Sequence, residues 1–298
     1  MHAVIGLDQG LAVLFGAATA LSNAIAVATQ HIASTRSAQR MKAWALALHL
    51  VRQPLWLFGW VALSGSLVFQ ALALHFGPMS LVQPILVSEL VMALVLRQVW
   101  IHQAIRPVTW AAALVTCGGL ATFLVATSPS GEAVVPRTST WIAPVALSVG
   151  VAAILVLAAL RGSPFRRAGL LGAATGVLWA LEATFIKAAT DTIASLGLGG
   201  AFTRWPIYAF AIGGVLGLLA EQAALHVGPL KVSQPFIVIV DPVVSVVLGV
   251  WLYAEHLRSG LVSSALGWFG FAVMCAGVVV LTQSAPETMS GEVHLLHH

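Results

Sequence analysis

An eleven-residue segment occurs twice in the chain, and each copy lies between long apolar stretches. Residues 74–84 are LHFGPMSLVQP and residues 225–235 are LHVGPLKVSQP; the copies are 151 positions apart and identical at six of eleven positions. The similarity extends further, because GAAT at 16–19 recurs at 172–175, and CGG at 117–119 recurs as CAG at 275–277. This duplication predicts a fold built from two similar halves.

The composition restricts the environment in which such halves can fold. Charged residues are 8% of the 298 residues, hydrophobic residues are 59%, and the mean hydropathy is +0.95. Soluble domains carry about 25% charged residues, so the chain is predicted to be an all-α integral membrane protein with the lipid bilayer as a partner. The net charge of +4 comes from basic residues scattered in short loops, so no nucleic-acid partner is expected.

Nine apolar stretches are long enough, at about 20 residues each, to cross a bilayer as helices. They cover residues 11–29, 55–74, 78–100, 108–126, 141–160, 168–189, 207–225, 229–253 and 261–282. The first four match the last four in order, which leaves the fifth as a linker. Because matching spans are five apart, they cross in opposite directions. The pattern therefore predicts an inverted repeat.

The expected domain organisation follows from these spans. Residues 1–127 form a first membrane repeat, 128–166 a loop and linker helix, 167–284 a second membrane repeat, and 285–298 a flexible cytoplasmic tail. The segment 35–53 is apolar but short and basic, and we interpret it as an interfacial amphipathic helix. If it crosses the membrane instead, the number of spans becomes ten.

The distribution of basic residues predicts the orientation. One side of the nine-span arrangement carries ten basic residues, namely Arg36, Arg40, Lys42, Arg52, Arg97, Arg106, Arg161, Arg166, Arg167 and Lys231. The other side carries three, namely Arg137, Arg204 and Arg258. The positive-inside rule puts the first set in the cytoplasm. We therefore expect a multi-pass protein of the plasma (inner) membrane, with the N-terminus outside and the C-terminus inside.

Each copy of the repeated segment ends in a Gln-Pro pair inside a predicted span, Gln83–Pro84 and Gln234–Pro235. A proline inside a helix removes one hydrogen bond and leaves a carbonyl without its helical partner, which in hydrocarbon must be satisfied by protein or a water-filled cavity. Pro242 predicts a second break in the later span. We predict hinges at these three prolines, with both glutamines contacting substrate; fixed, packed kinks are the alternative.

Three acidic residues fall near the middle of predicted spans: Glu89, Glu182 and Asp241. A charged side chain at that depth costs a few kcal/mol on insertion scales, so a partner or water must be present. An excess of buried acid over buried base suits a proton relay or a cationic solute. The alternative is that these acids only hold helices together through hydrogen bonds.

Other polar residues in the spans carry weaker signals. Lys187 and Asp191 are four apart on one helical face, so we expect them to pair. Glu221 lies nearer the end of its span, and Trp179 is deep enough to line a cavity. Glycine pairs four residues apart predict close helix approach, which is packing.

Duplicated membrane helices are the architecture with which transporters build one site between two halves. No HExxH, GxSxG, P-loop or paired CxxC motif occurs, so we expect neither an enzyme nor a protein-bound cofactor, and no metal site is assigned. The main prediction is a secondary active transporter that moves a small polar or cationic solute of metabolite or drug type by alternating access. A non-transporting membrane scaffold is an alternative. The sequence leaves open whether the protein forms a homodimer.

Two segments are similar to the drug/metabolite transporter superfamily. DPVV at 241–244, GVWL at 249–252 and Glu255 resemble the EPxxAxxxGxxxxGE-type segment of EamA-like proteins, and residues 70–84 resemble the NIPA-like branch. The resemblance implies an inverted-repeat helical carrier. EamA-like relatives are associated with export of metabolites and drugs, and NIPA-like relatives with magnesium. Magnesium transport is therefore a further alternative, with the same acids facing a hydrated ion.

Overall fold

The computed structural model describes residues 2–37, 53–100, 104–130, 136–228 and 230–284, which are predominantly helical. Apolar runs of this length form helices because every backbone polar group is then bonded within its own segment. The helices are α1 (His2–Ser37), α2 (Pro54–Phe76), α3 (Met79–Leu86), α4 (Glu89–Trp100), α5 (Pro107–Thr127), α6 (Ile142–Ala158), α7 (Pro164–Ala201), α8 (Trp205–Val227), α9 (Leu230–Tyr253) and α10 (Leu261–Ser284).

Among these described residues, nine helical segments are long and apolar enough to cross a membrane, with α3 and α4 together counting as one. They correspond one to one to the nine predicted spans, so the predicted helices are confirmed. Residues 38–52 of the predicted interfacial helix, and the predicted tail at 285–298, lie outside the described residues. The loop that follows α5 is described up to Ser130, which pairs with His256 in an isolated antiparallel bridge.

Glycines bring α7 into close contact with two neighbouring helices, as their spacing predicted. Gly172 and Gly176 face α9, and a Cβ atom on Gly172 would lie 2.6 Å from the carbonyl oxygen of Ser233. Gly213 and Gly217 of α8 face α7 as well, where they leave room for the side chains of Phe185 and Trp179. Small residues thus allow the backbones of α7 and α9 to touch and large side chains of α7 to pack against α8, and α7 is the most deeply buried of the described spans.

A third glycine contact joins α5, in residues 1–127, to α10, in residues 167–284. A Cβ atom on Gly277 would lie 2.7 Å from the backbone nitrogen of Thr116, and one on Gly119 would lie 2.8 Å from the Cα of Met274. Buried Leu120 packs in the cluster around this contact. The two helices are therefore held at backbone distance.

The prolines affect their helices differently. Pro84 lies near the end of α3, and a turn separates α3 from α4, so the break predicted there is confirmed. The breaks predicted at Pro235 and Pro242 are wrong, because α9 runs without interruption from Leu230 to Tyr253. One missing hydrogen bond does not interrupt this helix, because α9 packs closely against α7 along the segment that contains both prolines.

Candidate functional site

The break after Pro84 gives Glu89 its position. Because α4 begins at Glu89, this carboxylate lies in the first turn of a helix, where the partial positive charge of the N-terminus stabilises an anion. The side-chain amide Nδ2 of Asn23, on α1, donates a hydrogen bond of 3.1 Å to Oε2 of Glu89. The first predicted acid is therefore held by an amide donor and a helix terminus.

The other two predicted acids lie on neighbouring helices, Glu182 on α7 and Asp241 on α9, and interact electrostatically. Glu182 is buried, with 9% of its surface exposed, and its carboxylate interacts electrostatically with that of Asp241. The hydroxyl of Ser245, one turn further along α9, donates a hydrogen bond of 3.1 Å to Oδ1 of Asp241. A Cβ atom on Gly214 of α8 would lie 3.4 Å from Oε1 of Glu182, so α8 covers this carboxylate.

A fourth acid, Glu221 of α8, interacts with the first one. Its carboxylate lies beside the indole of Trp179 and interacts electrostatically with Glu89. Sequence reasoning assigned Glu221 to the end of its span and did not include it among the candidate site residues. The spacing of Gly214, Gly217 and Glu221 contained the signal, because residues three and seven apart share one helical face, and the glycines mark the face that contacts α7.

The two predicted glutamines are placed differently from each other. Gln83 is 2% exposed, and its Nε2 meets no hydrogen-bond acceptor among the residues that the structure describes. Gln234 is partly buried on α9. Their contact with a substrate stays a prediction.

A second polar cluster connects the two halves at one end of the bundle. Glu255, which follows α9, is 4% exposed and accepts hydrogen bonds from the backbone nitrogens of Met79 and Ser80 at 2.6 and 2.9 Å. The hydroxyl of Ser80 donates a third, of 2.7 Å. The first N–H groups of a helix lack partners within it, so Glu255 satisfies the beginning of α3.

Lys187 of α7 satisfies the end of α2 at the same end of the bundle. Its Nζ donates hydrogen bonds to the carbonyl oxygens of Leu74 and Gly77, and it lies 5.3 Å from the ring centroid of Tyr253. The hydroxyl of Tyr253 donates to the carbonyl oxygen of Thr184 at 2.9 Å. We call this cluster of Glu255, Lys187 and Tyr253 the bridged end.

The pair expected between Lys187 and Asp191 takes another form. Asp191 is 3.2 Å from Nδ1 of His75, the last basic residue of α2, while the direct contacts of Lys187 are to backbone carbonyls. The physical reason is that the last carbonyls of a helix have no partner within it, and the partly buried ammonium group of Lys187 satisfies them. Lys187 and Asp191 still interact electrostatically.

Comparison with known proteins gives one similar chain. The protein is 28% identical over 290 residues to an uncharacterized protein of Corynebacterium glutamicum, and the match covers 94% of this chain and 96% of the relative. No family model matches the chain, and no solved structure matches it. The two chains are thus similar from end to end, without a function assigned to either by this comparison.

Proposed function

We propose that the protein is a secondary active transporter that moves a small polar or cationic solute by alternating access. The observation that carries this proposal is the electrostatic interaction between carboxylates of the two halves inside the bundle. Glu89 interacts with Glu221 across the halves, and Glu182 interacts with Asp241 within the second half. We place the protein in the plasma membrane, with the N-terminus outside and the C-terminus in the cytoplasm, as the basic residues predict.

Matching contacts support an internal repeat, and we propose that it is an inverted repeat of the drug/metabolite transporter type. A Cβ atom on Gly77 would lie 2.5 Å from the Cβ of Ala12, and one on Gly228, its counterpart 151 positions later, would lie 2.9 Å from the Cβ of Ala168. Ala12 and Ala168 are separated by the same 156 positions as the two GAAT segments. Equivalent residues thus make equivalent contacts within each half.

The contacts between α5 and α10 have the reciprocal form expected at a two-fold axis. Gly119 meets Met274, and Gly277 meets Thr116. With the 158-position offset that relates the CGG and CAG segments, Gly119 corresponds to Gly277 and Thr116 to Met274. Residue pairs that exchange partners in this way are typical of two-fold interfaces.

The chemistry of the four acids favours a positively charged cargo or coupling ion. Within the described part of the chain, no ion pair joins any of them to a basic side chain. Neighbouring carboxylates repel each other in a medium of low dielectric constant, and a proton or a bound cation removes that repulsion. The pair of Glu182 and Asp241 is the proposed coupling centre, with Glu89 and Glu221 on the solute path.

Transport by purified protein in proteoliposomes tests the proposal. Wild-type protein should move at least one member of a panel of amines, amino acids, drugs and divalent cations along an imposed ion gradient. Asp241→Asn and Glu182→Gln should fold and insert normally but lose the dependence on the gradient. Asp8→Asn, at the start of α1, is the matched control and should transport at the parental rate. Parental rates in both test variants would refute the assignment of the coupling centre.

The same preparations separate the alternatives. A magnesium pathway should accumulate Mg²⁺ and rescue growth of a host that lacks magnesium uptake. A scaffold should transport nothing on the panel, and the double variant Glu182→Gln, Asp241→Asn should retain full biological activity.

A further inference from the structure

An apolar groove runs along the outside of the bundle between α5, α9 and α10. It encloses about 490 Å³, which is within the usual range of ligand pockets. The buried side chains of Phe123 and Thr127 form its floor, and the exposed side chains of Val247, Trp251 and Trp268 form its walls. The groove is therefore open toward the hydrocarbon if the helices span a bilayer, as we propose above.

The floor of the groove offers a polar ligand no free hydrogen-bond donor. Its one hydroxyl, on Thr127, already donates a hydrogen bond of 2.7 Å to the carbonyl oxygen of Phe123. The wall residues on α9 extend from Val243 to Trp251, eight helical steps or about 12 Å. One leaflet's hydrocarbon is about 15 Å thick, half of the bilayer core. The length and chemistry of the groove thus fit an acyl chain lying along α9.

One end of the groove carries a positive charge. Arg258 is the only charged residue among those that line the groove, and its side chain is exposed. No ion pair within the described residues occupies its guanidinium group. Ser264, in the first turns of α10, lies at the same mouth, where a helix N-terminus adds partial positive charge.

The backbone holds Arg258 in this position. Its N–H donates a hydrogen bond of 2.6 Å to the carbonyl oxygen of Thr127, the last residue of α5. Two residues earlier, His256 and Ser130 exchange backbone hydrogen bonds of 2.7 and 2.9 Å. The guanidinium group therefore extends from a fixed point directly above an apolar channel.

We propose that this groove binds one anionic phospholipid, with an acyl chain along α9 and the phosphate group against Arg258. A guanidinium group binds phosphate through two parallel hydrogen bonds, which gives a headgroup contact in addition to the charge attraction. The charge complementarity of the mouth and the apolar floor together select an anionic lipid over a soluble anion.

Native mass spectrometry of the full-length protein, released from micelles with equal amounts of phosphatidylglycerol and phosphatidylcholine of identical acyl chains, tests the proposal. Wild-type protein should retain one phosphatidylglycerol about fivefold more than phosphatidylcholine, the effect expected of one basic residue at an anionic surface. Arg258→Ala should remove that preference. Arg204→Ala, an exposed arginine that follows α7, is the control and should keep it.

A second pair of variants tests the acyl chain. Val247→Trp fills the groove and should lower retention of both lipids, whereas Val215→Trp, at an exposed valine of α8, should leave it unchanged. Equal retention of both lipids by wild-type protein, or normal retention by Val247→Trp, would overturn the proposal. A dimer that dissociates in Val247→Trp without bound lipid would assign the groove to a second copy of the chain and would overturn it as well.

Discussion

Removing the Glu255 carboxylate should be among the most damaging single changes outside the spans. In Glu255→Ala, the backbone N–H groups of Met79 and Ser80 lose their acceptor, and both residues are completely buried. Each unsatisfied buried donor costs about 1–3 kcal/mol. The hydroxyl of Ser80 can rotate to another acceptor, and the desolvation cost of the carboxylate is recovered, so we expect a net loss of about 2–4 kcal/mol.

Thermal unfolding in nanodiscs, followed by tryptophan fluorescence, measures this loss. At roughly 2 °C for each kcal/mol in a chain of this size, Tm should fall by about 4–8 °C. Gly249→Ala gives an independent test, because a Cβ atom there would collide with the Glu255 carboxylate while all hydrogen-bonding groups are retained. It should lower Tm in the same direction.

His75→Ala is the control at the same end of the bundle. This change removes the contact between His75 and Asp191, whose side chains are 37% and 26% exposed. Such pairs contribute about 0.2–1 kcal/mol, so Tm should change by less than about 2 °C. If Glu255→Ala and Gly249→Ala both unfold within 1–2 °C of wild type, roughly the effect of the control, the three hydrogen bonds do not stabilise the fold and the reasoning is refuted.

Three further outcomes are expected. Gly119→Ala should destabilise the protein by about 1–3 kcal/mol, because its Cβ atom would overlap the backbone of α10. Gly118→Ala is the control and should be neutral or slightly stabilising, because no atom lies within 4 Å of its Cβ position. The Tm values of the two variants compare them directly. A reporter fused after Thr282 should be active only if it requires the cytoplasm, and activity of a periplasm-dependent reporter there would contradict the orientation. Pro84→Ala should leave folding intact but slow transport in proteoliposomes; a parental rate would make that proline a fixed kink.

The helices could be predicted from the sequence because backbone groups in hydrocarbon leave no alternative to helix. The apolar runs alone determined the nine helical segments. The continuity of α9 could not be predicted in the same way. Pro235 and Pro242 each remove one hydrogen bond, as Pro84 does, and whether the helix then breaks depends on its neighbours. Gly172 and Gly176 hold α9 against α7, which is a property of the packed structure.

The residue types of the candidate site could be predicted from the sequence, but which of its side chains interact with each other could be predicted only in part. Hydropathy isolates Glu182 and Asp241, but their electrostatic interaction depends on how α7 and α9 pack. The same limit applies to Lys187, for which helical spacing suggested Asp191. Local spacing contains no information about the free carbonyls at the end of α2, and those carbonyls are the direct partners of its ammonium group.

The glycine contact between α5 and α10 restricts how the two halves can move. Where backbones touch without intervening side chains, separating them would open a gap that no side chain could fill, and sliding would move Thr116 and Met274 off the glycines that they now contact and against larger residues. Rotation about the line of contact is the remaining motion. We therefore expect the rotation axis of any movement between the halves to lie along the contact of α5 and α10, with the largest displacements on the opposite side of the bundle.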